Sequence, residues 1–113
     1  MTGITTHVLD LAHGRPVAGL AVRLERHDDP GGWRLIGVSA TDGDGRVRDW
    51  PDSPEPRAGA HRLTFLTGPH FLAQGTEAFY PEVSVVFRVA DAGRHHHVPL
   101  LLSPFGYTTY RGS

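Results

Sequence analysis

The chain has 113 residues, no cysteine, no lysine and a formal net charge of −1 with histidine neutral. That length suits one domain spanning residues 1–113 with one core. The composition removes disulfides, thiolate metal sites and lysine chemistry apart from the α-amine, and the balanced charge gives no ground for a nucleic-acid or anionic-membrane partner.

Short alternating runs broken by glycine and proline recur along the sequence, which predicts an all-β sandwich. His7 falls early, in Thr5-Thr6-His7-Val8-Leu9-Asp10, on the strand face that also carries Thr5 and Leu9. Leu20, Val22 and Leu24 alternate with Ala21, Arg23 and Glu25, and a further strand is expected over residues 33–40. Asp42-Gly43-Asp44-Gly45 then reads as a tight turn, and residues 51–59, with three prolines, as a loop. A strand over 61–67 sets Leu63 and Phe65 on one face. Residues 69–74 read as the one short helix, with proline near the start and Gly75 just past the end. Val83, Val85, Phe87 and Val89 form the next alternating set, and residues 91–93 turn the chain into a strand over 94–103. There the period of two places His95, His97, Pro99 and Leu101 on one face and His96, Val98, Leu100 and Leu102 on the other. Apolar residues on both faces imply that the outer one meets another subunit. Residues 107–110 form a last strand pairing with its predecessor, and Thr108, Tyr110 and Gly112 share a face.

No run approaches the ~18 apolar residues needed to cross a bilayer, and Met1 to His7 lack the basic and apolar regions of a secretory signal. The expectation is a soluble cytoplasmic protein.

Histidine is the abundant group that titrates near neutrality. His7 alone reads first as a half-exposed strand histidine. In His95-His96-His97 the outer two rings project together, which serves a shared metal if a third histidine joins them, or general-base catalysis. Arg46 leaves a rigid corner after the glycine turn; it either pairs with Asp44 or Asp49 or offers a planar fork to a carbonyl or an anionic heterocycle. The acidic turn would repel phosphate, and it lacks the spacing of a calcium loop. No serine sits in a nucleophile elbow and no carboxylates pair for glycosidic work, so a hydrolase of this sequence uses water as its nucleophile. The closing Tyr110-Arg111-Gly112-Ser113 sets an aromatic ring, a cation and an α-carboxylate side by side.

Thr6-His7-Val8-Leu9-Asp10, Thr41-Asp42-Gly43-Asp44-Gly45-Arg46, His97-Val98-Pro99-Leu100-Leu101-Leu102-Ser103-Pro104 and the final Tyr110-Arg111-Gly112-Ser113 together resemble the 5-hydroxyisourate hydrolases, the transthyretin-like proteins of purine catabolism. The resemblance spans the whole chain. It implies a transthyretin-like sandwich of two four-stranded sheets with one short helix, assembled as a homotetramer around a channel. It also implies hydrolysis of 5-hydroxyisourate to 2-oxo-4-hydroxy-4-carboxy-5-ureidoimidazoline, with a small-molecule substrate and no cofactor or metal. By motif position His7, Arg46 and His97 are its catalytic residues, and His7, Arg46, Tyr110 and Ser113 its substrate-binding ones. Alternation assigns Arg111 to the face opposite Tyr110. The sequence departs from the family pattern at His96, where an aromatic residue such as tyrosine is expected, and at Thr108, where serine is frequent.

Overall fold

The computed structural model describes residues 3–53 and 55–113. Met1, Thr2 and Pro54 lie outside the described residues, and with them the α-amine and parts of the readings of residues 1–7 and of the 51–59 loop.

The elements in chain order are β1 (Ile4–Asp10), β2 (Arg15–Pro16), β3 (Ala21–Asp28), β4 (Gly32–Ala40), β5 (Arg46–Val47), β6 (Gly59–Phe65), α1 (Gly68–Ala73), β7 (Val83–Val89), β8 (His96–Ser103) and β9 (Gly106–Thr109). They form two sheets. One runs β2-β1-β8-β9, with β5 also paired to β1; the other runs β4-β3-β6-β7. The expected two-sheet sandwich with one short helix is present. The first sheet has five strands where four were expected, because the two-residue β2 and β5 share one edge of β1.

Strict alternation builds the core. Ile4, Val8, Val47, Val98, Leu100 and Leu102 of the first sheet face Val22, Leu24, Leu63, Phe65, Val83 and Val89 of the second, all buried. Fully burying each such side chain contributes about 1.5–3 kcal/mol before the entropy of ordering is set against it. Trp50 closes one side, buried, its indole N–H donating to the Ile4 carbonyl at 2.8 Å. A bulge between Leu24 and Glu25 interrupts the β3–β4 register and brings Gly37 under that ring, where a Cβ would lie 3.1 Å from Trp50 Cβ.

Helix α1 begins one residue before its expected start, with Pro69 in its first turn and the Gly75 N–H closing on Leu72 O at 3.0 Å. It buries Phe71 and is moored to β1 by Asp10. That carboxylate is buried. It accepts from the His13 N–H at 3.1 Å, His13 Nδ1 at 3.0 Å, His70 Nε2 at 3.0 Å and Gln74 Nε2 at 3.3 Å. Burial pushes the Asp10 carboxyl up, but these four hydrogen bonds outweigh it and hold the group well below the usual carboxylate range. No helix among the described residues is long and apolar enough to cross a membrane.

Candidate active site

Strands β1 and β8 run parallel, with Thr5 opposite His97, His7 opposite Pro99 and Leu9 opposite Leu101. Because the alternate residues Ile4, Thr6, Val8 and His96, Val98, Leu100 face the core, these pairs line the outer face of the sheet. The face is only half solvated: Thr5, His7, Leu9, His97 and Leu101 are half-buried and Pro99 is buried.

Arg46 is delivered to this face by the expected turn. Gly45 N–H donates to Asp42 O at 2.9 Å, Asp42 N–H to Arg46 O at 2.9 Å, and the Asp42 carboxylate accepts from the Asp44 and Arg46 N–H groups at 2.9 and 3.0 Å. Those amides, the Arg46 one foremost, hold the Asp42 carboxyl below its ordinary value. Gly45 is obligatory. Its φ is +77°, and a Cβ there would lie 2.5 Å from Val8 O and 2.9 Å from Pro16 Cβ. The turn thus locks onto β1, where Arg46 pairs across from His7. Among the described residues Arg46 forms an ion pair with neither Asp44 nor Asp49, so its guanidinium fork is open to a ligand.

Arg46 and His97 meet in a cavity of about 380 Å³, lined also by Gly3, Thr5, Thr6, Arg48, His95 and Ser113. That size suits a small molecule. The cavity is cationic, and no carboxylate side chain lines it among the described residues. Burial, then the charges of Arg46, His95 and His7, lowers the His97 pKa, against a hydrogen bond to the Thr5 backbone. The ring therefore stays neutral, and basic, at and somewhat below neutral pH.

Gly112 forms the floor beneath His97. Its N–H donates to His97 O at 2.8 Å in an isolated antiparallel bridge, and a Cβ on it would lie 2.5 Å from His97 Cδ2 and 3.3 Å from Pro99 Cγ. Lack of a side chain is what lets the final segment pack flat on the imidazole.

The other predicted residues fall around this centre. His7 is turned toward the 42–45 turn, its Nε2–H donating to Asp44 O at 2.9 Å, and it borders the cavity from the neighbouring position on β1 rather than lining it. Ser113 lies in the cavity. Tyr110 lines the adjoining groove of about 320 Å³, with Val86, Arg88, Val98 and Arg111; His97 is common to both spaces. His96 points into the core, buried, with Nδ1–H donating to Arg94 O at 3.0 Å. His95 and His97 do project together, ring centroids 6.2 Å apart. No group of three His, Asp or Glu side chains among the described residues is arranged to hold a metal. The residue that sequence reasoning passed over is Thr5, which hydrogen-bonds both of those rings. Its place opposite His97 depends on the parallel register, a pairing 92 residues apart that no local pattern reveals.

A family model described as HIUase/Transthyretin matches residues 4–112. A probable 5-hydroxyisourate hydrolase of Caenorhabditis elegans is 46% identical over 114 residues, covering 97% of this chain and 81% of that one. Among solved structures, sea bream transthyretin in complex with thyroxine superposes with a TM-score of 0.90 at 31% identity, covering 97% of this chain and 94% of that one. The 5-hydroxyisourate hydrolase of Klebsiella pneumoniae gives 0.81 at 34% identity, covering 97% and 98%. The family model over residues 4–112 and the relative 46% identical over nearly the whole chain show that the chain belongs to the HIUase/transthyretin family.

Proposed function

We propose that the protein is a 5-hydroxyisourate hydrolase, opening its substrate to 2-oxo-4-hydroxy-4-carboxy-5-ureidoimidazoline with water as the nucleophile. The observation that carries the reading is the pairing, in one cavity, of an arginine with no ion-pair partner among the described residues and a histidine kept neutral. His97 takes a proton from water as it attacks a ring carbonyl, and Arg46 holds the oxyanion that forms. His7, fixed across from Arg46, borders the reacting centre. Ser113 in the cavity and Tyr110 beyond His97 are the companion substrate-binding residues of this reading.

The backbone superposes on a thyroxine-bound transthyretin more closely than on the Klebsiella hydrolase, yet shared backbone does not decide function. Side chains do. A carrier of apolar aromatic ligands needs a receptive wall, whereas the guanidiniums of Arg46 and Arg48 make this one cationic and the rings of His95 and His97 add polar nitrogens beside them.

Assembly as a homotetramer is part of the proposal. The half-buried Leu9 and Leu101 on the outer face, and the exposed Val86 and Tyr107 of β7 and β9, are surfaces that other copies would cover. Sedimentation of the purified protein tests it. A cytoplasmic location rests on the sequence alone, and fractionation of the source cells tests that. The activity itself is tested by generating 5-hydroxyisourate from urate in the cuvette and following its decay with and without the protein. Decay no faster than the spontaneous rate overturns the assignment.

A further inference from the structure

The hydroxyl of Thr5 stands 2.7 Å from Nε2 of His95 and 2.7 Å from Nδ1 of His97. A threonine hydroxyl owns one proton, so between two neutral rings it donates to one and accepts from the other. The choice matters for His97. If Nδ1 carries the proton, Nε2 presents a lone pair and the ring is a base on that side; if Nδ1 accepts from Thr5, the proton sits on Nε2 and the base is lost.

Two features select the first arrangement. Nδ1 of His97 is taken up by Thr5, so Nε2 is the ring nitrogen left for a water, and a base there needs its proton on Nδ1. His95 is exposed, so its own tautomer is free to leave Nε2 unprotonated and accept from the threonine. The geometry points to Thr5 and His95 as positioning residues: Thr5 donates its hydroxyl proton to His95 Nε2 and accepts Nδ1–H of His97, leaving His97 Nε2 free to take a proton from water. This rests on the hydrolase reading, in which His97 is the base.

A neutral anchor has a physical rationale at this place. A carboxylate on Nδ1 would orient the ring equally well but would raise its pKa and hold it protonated to higher pH. Threonine orients without adding charge. The charged and titratable groups facing His97 are His7 on β1, Arg46 on β5 and His95 just before β8, with Arg48 on the same cavity wall. Arg46, His95 and His7 disfavour a proton on the ring, so a neutral anchor preserves what they achieve, and Ser113, with its α-carboxylate, shares the cavity wall.

The test joins a spectroscopic and a kinetic measurement on the full chain. Long-range proton–nitrogen correlation spectra at pH 8 are expected to show His97 as the Nδ1–H tautomer in the wild type and in Thr5→Ser, and an appreciable Nε2–H fraction in Thr5→Val. On 5-hydroxyisourate, Thr5→Val is expected to lower kcat by about 10-fold or more with KM within about 3-fold, part of what a positioned base contributes. Thr5→Ser should restore kcat to within about 3-fold of wild type on the same reasoning. His95→Ala is expected to lower kcat in the same direction by a smaller factor. A wild-type protein with His97 mainly as Nε2–H overturns the inference, as does a Thr5→Val protein with the wild-type kcat. The spectra need no substrate, so a wild type inactive on 5-hydroxyisourate removes the hydrolase reading and leaves the tautomer assignment to be decided on its own. Where Thr5→Val fails to fold, the wild-type spectrum and His95→Ala still decide.

Discussion

Gly112 lies flat against the imidazole of His97, close enough that a methyl group in place of its hydrogen would sit 2.5 Å from the ring. Gly112→Ala must therefore turn the ring or part the bridge between the two residues. Since a misplacement of about 1 Å at a reacting group can cost about 100-fold in rate, this variant is expected to lose about that factor in kcat. Its far-UV circular dichroism should stay that of the wild type, because the glycine lies outside the apolar core. A variant with full activity would show that His97 does not need its present orientation.

Arg46→Ala is expected to lower kcat by about 100- to 1,000-fold, on the order of 2.7–4 kcal/mol, the scale seen when a donor to a developing oxyanion is removed. Arg46→Lys keeps the charge but loses the fork, and should recover only part of the rate. Thermal melting should change little in either, because the guanidinium has no ion-pair partner among the described residues. Decay of freshly generated substrate, corrected for the spontaneous rate, is the measurement.

The pH dependence follows from the direction of the His97 shift. Burial and its basic neighbours lower the pKa from 6.5, so the active, unprotonated ring persists below that value. The acidic limb of kcat/KM is therefore expected below pH 6.5 and should move upward in Arg46→Ala, which removes one of those charges. An acidic limb above pH 7 in the wild type would contradict the assignment of His97 as base.

Asp10 makes the corresponding prediction for stability. Its folded pKa lies below the unfolded value of 3.8, so its contribution is fully present above that value and is lost as pH falls through the folded one. Asp10→Asn is expected to cost about 1.5–3 kcal/mol at pH 6, the scale of hydrogen bonds to a charged group. The variant's stability should also fall less steeply than the wild type's between pH 4 and pH 2 in urea titrations. Equal slopes would place the acid sensitivity elsewhere.

Much of the fold is legible in the sequence. The alternation in Val22 and Leu24, in Leu63 and Phe65 and along β8 reflects burial of one strand face, and the structure places those side chains in the core. The proline and glycine around α1 act locally, so its bounds were readable to within a residue. Strands β2 and β5 were not, since two residues display no period and exist only because β1 offers an unpaired edge. Tyr110 shows where periodicity runs out. Strand β9 ends at Thr109, and the ring beyond it lines the groove beside Val86 and Arg88. Thr5 was hidden for a different reason: its meaning lies in a neighbour supplied by the far end of the chain.

The turn that ends in Gly45 also shields the sheet. One side of β1 is covered by β8, and the other is divided between β5 and β2, with Gly45 O accepting the Val8 N–H at 2.8 Å. Without that cover the strand bearing Thr5 and His7 would present open amides and carbonyls, a template for pairing with foreign strands. The same few residues thus guard against self-association in the wrong register and aim the guanidinium of Arg46. Covering a strand edge and placing an arginine are joined in one corner of the chain, so a side chain added at Gly45 would disturb both.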